Sequence, residues 1–544
     1  MKYTWMLLAT MMAAGLTRAA EPSMTRAVVV LSGGGDAVAV SAALAKLPGV
    51  EEVITNSESE LMVTYSRAQV AVKNLERAVP GISVKPLHKP IGMVAKPATS
   101  PSVAALAEHK LRQAEEVAQA LGLSMPAEFR TYLEALQKDG WDATTNLFEQ
   151  SIRRRIGQYA DSEDDPTLCS PLWECVLEAN GGSEQLASWN GELHELFARR
   201  IFDGMSADSI YFGGTDPGRF SATLFRELQG APEISVITQN ALADNTYLTF
   251  ARLCYGDSIY VPSQADSNAA FQKYVEEVRA QNKDALADKD GRVTVEGIAG
   301  VMAINGLIAR VIFDQNKDAH DFFVEESYVI PWMYPYLSPH GAILKLNHEP
   351  FAEISAEDVA RDTTYWADLE KTLMDHPAFS TDSYARKSFA KLRSAIAGVY
   401  AHRKMFAEAD AAFRQALRLY PALPEAAYRL SDLLMQQFNF TEAQAVLDAY
   451  GKSGVTIDQS FDNFHSRVTH LAGLNERRLA LEKEMPKGAS TETAIELLDI
   501  YQKMNMAGHH ASLAQRLLEE KDLSAKNRKH VEASVEAMKP AAGE

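Results

Sequence analysis

Cysteine is scarce in this chain: Cys169, Cys175 and Cys254 are the only three in 544 residues. No Cys-x-x-Cys pair occurs, which excludes a tetrahedral zinc site and thioredoxin chemistry. In an oxidising compartment Cys169 and Cys175 can close a small loop and leave Cys254 free. Otherwise all three stay packed thiols, and spacing alone favours neither outcome. Basic residues are in deficit: 54 Lys and Arg against 72 Asp and Glu give a formal charge of −18. A chain this acidic repels nucleic acid and anionic lipid, so no nucleic-acid partner is expected. Beyond the N-terminus no stretch reaches roughly 18 uninterrupted apolar residues, so no transmembrane segment is expected after processing. His194-Glu195 lacks the second histidine of a zinc-protease helix, and no paired nucleophile and base stands out. The expectation is a protein with no catalytic residue, no cofactor and no metal, although a reaction is left open.

What is present is organised. Apolar residues at 46% and charged residues at 23% are those of a folded globular chain. At roughly 150 residues per domain, the length suggests three or four domains. Lys2, the apolar run Trp5 to Leu16, and Thr17-Arg18-Ala19-Ala20 form the pattern of a signal peptide over residues 1–20, cut after Ala19. That predicts a periplasmic or secreted protein.

Residues 24–86 read as strand, helix, two strands, helix, strand. The first strand, Ala27 to Leu31, ends in Ser32-Gly33-Gly34-Gly35-Asp36. The helix after it carries Val40, Ala43, Leu44 and Leu47 on one face and stops at Pro48-Gly49. The order is that of a small ferredoxin-like α+β domain. Val40, Ala43-Leu44, Leu47 and Gly49-Val50 resemble the heavy-metal-associated domain of copper chaperones and metal-transporting ATPases. The resemblance implies the fold. Its two metal cysteines fall on Gly33 and Asp36, which argues against Cu(I). The glycine turn reads either as an anion-holding loop or as a tight turn without ligand.

Pro86, Pro90, Pro97 and Pro101 punctuate a linker over 87–101, and 102–206 reads as a helical region. Arg153-Arg154-Arg155 and the acids Asp161, Glu163, Asp164 and Asp165 are either a phosphate grip or solvated charges.

Residues 207–350 read as a Rossmann-like, parallel-sheet α/β domain. Asp208 to Phe212 is a strand ending in Gly213-Gly214-Thr215-Asp216-Pro217-Gly218-Arg219. Ile234 to Ile237 is the next, ending in Thr238-Gln239-Asn240. Asp257 to Val261 is expected as a third, ending in Pro262-Ser263-Gln264-Ala265-Asp266. Ligands of such sheets bind beyond the carboxyl ends of the strands. The candidate binding residues are therefore Gly213, Gly214, Thr215, Asp216, Arg219, Gln239, Asn240 and Asp266. Asp216 reads equally as a helix N-cap, with Pro217 opening the helix. Glu325 and Glu326, beside Tyr328, Trp332, Tyr334 and Tyr336, are read as polar anchors of a sugar-stacking wall or as core packing with a buried ion pair.

Gly213-Gly214-Thr215-Asp216, Asn240, Glu326-Ser327, Tyr334, Tyr336-Leu337, Pro339 and Gly341 resemble the soluble C-terminal half of an uncharacterised bacterial membrane family. That family is related to lipid-linked-sugar glycosyltransferases and is often followed by tetratricopeptide repeats. The resemblance implies a glycan-related site but no activity, since the transferase half is missing.

Residues 385–535 read as helical repeats. Ile396, Tyr400, Ala409, Phe413, Ala416 and Pro421 fit the tetratricopeptide pattern, and Leu430, Leu434, Ala443 and Leu447 repeat it 34 residues on. Leu497, Leu498 and Tyr501, then Ala511, Ala514 and Leu517, form a degenerate pair. The fold expected is thus multidomain, α/β plus all-α, with a C-terminal tetratricopeptide-type solenoid. The function expected is that of an exported scaffold using the repeats for a protein partner. The alternative is a module that binds or processes a glycan or polar small molecule at the strand ends.

Overall fold

The computed structural model describes residues 24–32, 36–87, 91–92, 101–153, 168–229, 234–281, 288–289, 292–293 and 298–538. The expected signal peptide, Gly33 to Gly35, most of the 87–101 linker, Arg154-Arg155 and the acidic cluster at 161–165 lie outside these residues. The chain divides into two compact units, Met1–Val399 and Tyr400–Glu544.

In the first unit, β1 (Thr25–Leu31) alternates, burying Ala27, Val29 and Leu31. It lies between β3 (Glu60–Tyr65) and β4 (Ile82–Pro86), with β2 (Val50–Ser57) outside β3, giving an antiparallel sheet ordered β2-β3-β1-β4. Two helices, α1 (Ala37–Leu44) and α2 (Val72–Ala78), supply Val40, Leu44, Val72 and Leu75 to its core. Asp36 caps α1, its carboxylate accepting from Val38 and Ala39 N–H. The sheet is tied to distant chain. Arg67 donates to the Leu253 carbonyl at 2.7 Å and pairs with Asp257 at 3.3 Å, and Arg252 donates to the Ala68 carbonyl at 3.0 Å.

Five helices follow: α3 (Val103–Leu121), α4 (Ala127–Asp139), α5 (Trp141–Ser151), α6 (Leu172–Ser188) and α7 (Gly191–Phe202). Phe129, Tyr132, Phe148 and Trp173 pack together at their centre, Phe148 stacked on Trp173 and the other pairs tilted. The three cysteines are free thiols, Cys169 exposed and Cys175 buried.

The second sheet is ordered β10-β11-β9-β5-β6. Its strands are β5 (Ile210–Gly213), β6 (Ser235–Thr238), β9 (Phe322–Glu325), β10 (Leu337–His340) and β11 (Ile343–Leu346), with a separate hairpin of β7 (Asp288–Lys289) and β8 (Arg292–Val293) between. Only β6, β5 and β9 run parallel; β9, β11 and β10 pair antiparallel. The expected all-parallel sheet is therefore a mixed one. The expected strand Asp257 to Val261 is not a strand. The Asn316 side chain takes both backbone groups of Tyr260, accepting from its N–H at 2.7 Å and donating to its carbonyl at 3.0 Å, where a neighbouring strand would otherwise pair.

Helices α8 (Ala222–Gln229), α9 (Asn245–Tyr255), α10 (Gln264–Gln281) and α11 (Ile298–Asn316) connect the parallel strands. By length and composition α11 could cross a membrane, with a mean hydropathy of 1.4. Its buried face carries Ile304, Ile308, Ile312 and Phe313. Asn305 and Asn316 on it are spent on backbone groups of neighbouring segments. The unit closes with α12 (Ala356–Asp375) and α13 (Ser383–His402).

The second unit is helical throughout its described residues: α14 (Phe406–Leu419), α15 (Pro424–Gln436), α16 (Phe440–Gly451), α17 (Gln459–Glu484), α18 (Thr491–Lys503), α19 (Ala507–Glu519) and α20 (Ala525–Ala537). Its period is visible in the backbone. Lys404 and Phe438, 34 positions apart, both adopt φ of 59°, and Asn505 adopts 55°. After each, the next N–H closes the same turn: Met405 onto the Tyr400 carbonyl, Asn439 onto Leu434, Met506 onto Tyr501. Ala409 and Ala443 are fully buried where the helices approach. In the α18–α19 pair His510, buried, stands where the small residue was expected, while Ala511 is exposed.

Candidate functional site

β5 leads through α8 to β6 on one side, and the chain then returns to place β9 on the other side of β5. The connection reverses between β5 and β9, so the switch point of the parallel strands lies at Gly213 and Glu325, which are register partners. Open α/β sheets offer their crevice at such a point.

Here the crevice is filled from within. The Glu325 carboxylate is 2% exposed and accepts three hydrogen bonds. Gly214 N–H donates at 2.9 Å, Thr215 N–H at 2.6 Å and the Thr215 hydroxyl at 2.8 Å. Burial raises its pKa, and the Thr215 and Gly214 donors oppose that rise. Gly218 is glycine because a Cβ there would stand 2.1 Å from Glu325 Oε2. Thr215 also caps the following helical turn, its hydroxyl accepting from Gly218 N–H at 3.1 Å. Asp216 is therefore not the N-cap. It sits in helical conformation and binds Arg219 at 3.0 Å, and Arg219 lies over the Phe220 ring. The turn N–H groups, which at a helix start favour an anion, are thus occupied by a side chain 110 residues away.

Gln239 and Asn240 follow β6 into the same place. Asn240 Nδ2 donates to the Gly214 carbonyl at 2.8 Å and approaches Ser327 Oγ at 3.4 Å. Gln239 Nε2 donates to the Tyr328 carbonyl at 3.4 Å. Their oxygens, Gln239 Oε1 and Asn240 Oδ1, are buried and have no hydrogen-bond partner. A Cβ on Gly214 would lie 2.4 Å from the Glu325 carbonyl oxygen, 2.5 Å from Ser327 N and 2.8 Å from Gln239 Oε1, so only glycine fits this close approach.

Of the residues expected at the site, Gly213, Gly214, Thr215, Gln239, Asn240 and Glu325 come together, with Asp216 and Arg219 paired beside them. Asp266 does not end a strand. It closes the start of its own helix, accepting from Ser263 N–H at 2.7 Å and the Tyr260 hydroxyl at 2.8 Å. Glu326 accepts from the Tyr334 hydroxyl at 2.8 Å, and Trp332 and Tyr336 pack with Phe313 rather than forming a wall with Glu325.

One polar cluster escaped the sequence reading. Lys110 is fully buried between Glu178 at 2.5 Å and Glu227 at 2.6 Å, with His109 3.2 Å from Glu227. Burial alone would lower the lysine pKa; the two carboxylates outweigh it and raise it. Burial also acts on Glu227, but Lys110 and His109 hold it well below the usual carboxylate range, and Glu178 is pushed up. Nearby Glu174 is pushed up to about 8 by burial, then by Asp244 and Glu178. The signal was available: Leu106, Lys110, Gln113 and Val117 share one face of α3, so polar groups interrupt an apolar stripe. A Ser–His contact also exists, Ser221 Oγ lying 2.8 Å from His194 Nε2. Both residues are sealed in the core, and burial pushes His194 down to about 4. Among the described residues no group of three or more His, Cys, Asp or Glu side chains is placed to hold a metal.

Two cavities lie among the described residues of the second unit. One of about 570 Å³ is lined by Glu482, Met485, Leu497, Tyr501, His509 and Arg516 among others. Another of about 380 Å³ is lined by Phe413, Tyr428, Arg429, Asp432, Gln436 and Phe464 among others. None of the curated proteins compared matches this chain. Residues 400–456, the stretch that carries the Lys404 and Phe438 turns and the buried Ala409 and Ala443, match the tetratricopeptide repeat family.

Proposed function

We propose that this protein is an exported, non-enzymatic scaffold whose C-terminal repeats bind a protein partner. The observation that carries the reading is the 34-residue recurrence of one turn and one buried alanine across the stretch that matches the repeat family. Stacked helix pairs of this kind present side chains for binding other proteins. Tyr428 and Arg429 line the cavity between repeats and offer an aromatic face and a cation. Affinity capture with the full chain, compared with Asp432→Lys/Gln436→Glu at two exposed residues of that lining, tests the reading. A partner captured by the wild type should be lost from the variant at unchanged melting temperature; equal capture by both would remove it. Export rests on the N-terminal pattern, and mass spectrometry of the mature chain should find it beginning at Ala20 or Glu21. The first sheet, a ferredoxin-like unit with Gly33 and Asp36 where thiolates would stand, serves packing rather than Cu(I) in this reading.

A second reading is favoured by one observation. Two buried acceptors, Gln239 Oε1 and Asn240 Oδ1, lack partners at the switch point of the sheet. It takes the Rossmann-like strand ends as a binding site for a glycan or polar small molecule, in line with the resemblance to glycosyltransferase-related proteins. If Asp216→Ala leaves binding of such a ligand intact while Asn240→Ala abolishes it, the site lies on the β6 side of the turn.

A further inference from the structure

We propose that a cavity of the second unit, outside the stretch that matches the repeat family, binds a small apolar molecule that ends in a carboxylate. The cavity is the one of about 570 Å³ between the end of α17, α18 and α19. It shares no lining residue with the one beside Tyr428.

Its floor is apolar. Leu497 and Tyr501 come from α18 and Leu513 from α19, all buried, and Met485 closes it just after α17. The His509 ring lies 5.4 Å from that of Tyr501 and adds a second aromatic wall. A glycine keeps the space open. Gly508 stands in α19 with a right-handed helical backbone that any residue adopts, and a Cβ there would meet no atom within 4 Å. Alanine would strengthen the helix at no steric cost, so packing does not call for a glycine here. Gly508, Ser512 and Arg516 recur every four residues and share one face of α19, and all three line the cavity. What the glycine preserves is the volume in front of that face.

The charge left over in the cavity is positive. Glu482 belongs to its wall, but its carboxylate is already paired, accepting from Arg478 and from the Tyr501 hydroxyl, both at 2.8 Å. Ser512 turns its hydroxyl to the Gly508 carbonyl at 3.0 Å. Arg516 is exposed, and no carboxylate of the described residues pairs with it. A guanidinium offers parallel N–H donors that match the two oxygens of a carboxylate. One such group above an apolar floor fits a ligand with an apolar body and a single carboxylate. The volume suits a small molecule, since sites of that kind span roughly 300–1,000 Å³.

Saturation-transfer NMR on the full chain with octanoate, octanol and octylammonium tests the site. Octanoate should bind, octanol about fivefold more weakly, and octylammonium more weakly still. Arg516→Gln, at an exposed position, should bring octanoate down to the affinity of octanol. Gly508→Leu fills the cavity and should abolish octanoate binding while the melting temperature holds or rises. Octanoate binding that survives Gly508→Leu would place the ligand elsewhere and overturn the proposal, as would octylammonium binding as tightly as octanoate. Acetyl-Ala-Ala-Leu carries the same chemistry on a peptide end. If it binds where octanoate does not, and is lost in Gly508→Leu, the small acid is overturned and the cavity takes a chain terminus. No saturation transfer to any of these probes would remove the site altogether. The comparison of probes uses the wild type alone, so it decides even if a variant folds poorly.

Discussion

Glu325 shows how one side chain can settle the chemistry of a turn. Its carboxylate gathers three donors from Gly214 and Thr215 in a buried place. Replacing it by Gln turns one oxygen into a donor that faces other donors. Urea denaturation of Glu325→Gln should show a loss of about 1–3 kcal/mol. Glu174 gives a pH signature. Its folded pKa of about 8 lies above that of an unfolded glutamate, with burial the first cause. Below about pH 4.5 both states hold the proton and the group is neutral to stability. Above it the unfolded chain ionises first, so stability falls as pH rises to about 8, by up to about 1.4 kcal/mol per unit. Glu174→Gln should flatten that slope, so the variant gains on the wild type between pH 5 and pH 8 in chemical denaturation.

Elements were legible where their signals are local, and less so where a distant group intervenes. The strands β5 and β6 stood out as apolar runs stopped by Gly213-Gly214 and Gln239-Asn240. Asp257 to Tyr260 repeats the residues of Asp208 to Tyr211, yet one is a loop and the other leads a strand. The difference is Asn316, 56 residues on, which occupies the Tyr260 backbone. β9 was hidden because Phe322-Phe323-Val324 is short and followed by two acids, and nothing near it announces that Glu325 closes onto Gly214. Asp216 looked like a cap by composition; Thr215, one residue earlier, does the capping because Asp216 turns to Arg219. The repeats were the most readable part, since their pattern recurs within the stretch it describes. Ala443 is fully buried, and Ser431 donates to its carbonyl at 3.2 Å. Ala443→Leu should overpack this contact and lower stability by about 1–3 kcal/mol, read from the urea midpoint.

Across the whole molecule, composition set the limits and tertiary contacts drew the boundaries. The acidic balance of −18 and the scarcity of cysteine narrowed the partners and sites to be expected before any element was placed. Sequence divides the first 350 residues into a small sheet, a linker, helices and a second sheet. The folded chain gathers them into one compact unit. Two arginines clasp the joint, beside a Lys73 N–H on the Gly256 carbonyl and Arg77 over the Tyr260 ring. Arg67 reaches the Leu253 carbonyl from one side, and Arg252 reaches the Ala68 carbonyl from the other. Arg67→Leu should destabilise this unit by about 1.5–3 kcal/mol, the scale for hydrogen bonds to a buried charge, as measured by chemical denaturation.

That reciprocal clasp has a consequence for how the chain can be cut. Both guanidinium groups grip main-chain oxygens, and Arg67 adds the Asp257 carboxylate, so backbone position is most of what each needs from the far side. Substitutions of the Ala68 or Leu253 side chain leave each accepting carbonyl in the chain, while removing either segment takes one acceptor away. The first sixty-odd residues after the N-terminus look like a detachable cassette in sequence, but excising them would expose Arg252 at a newly opened face. In an edited form lacking them Arg252 would keep the Pro262 carbonyl at 2.6 Å and the Thr249 hydroxyl at 2.8 Å, and water would take the place of the Ala68 carbonyl.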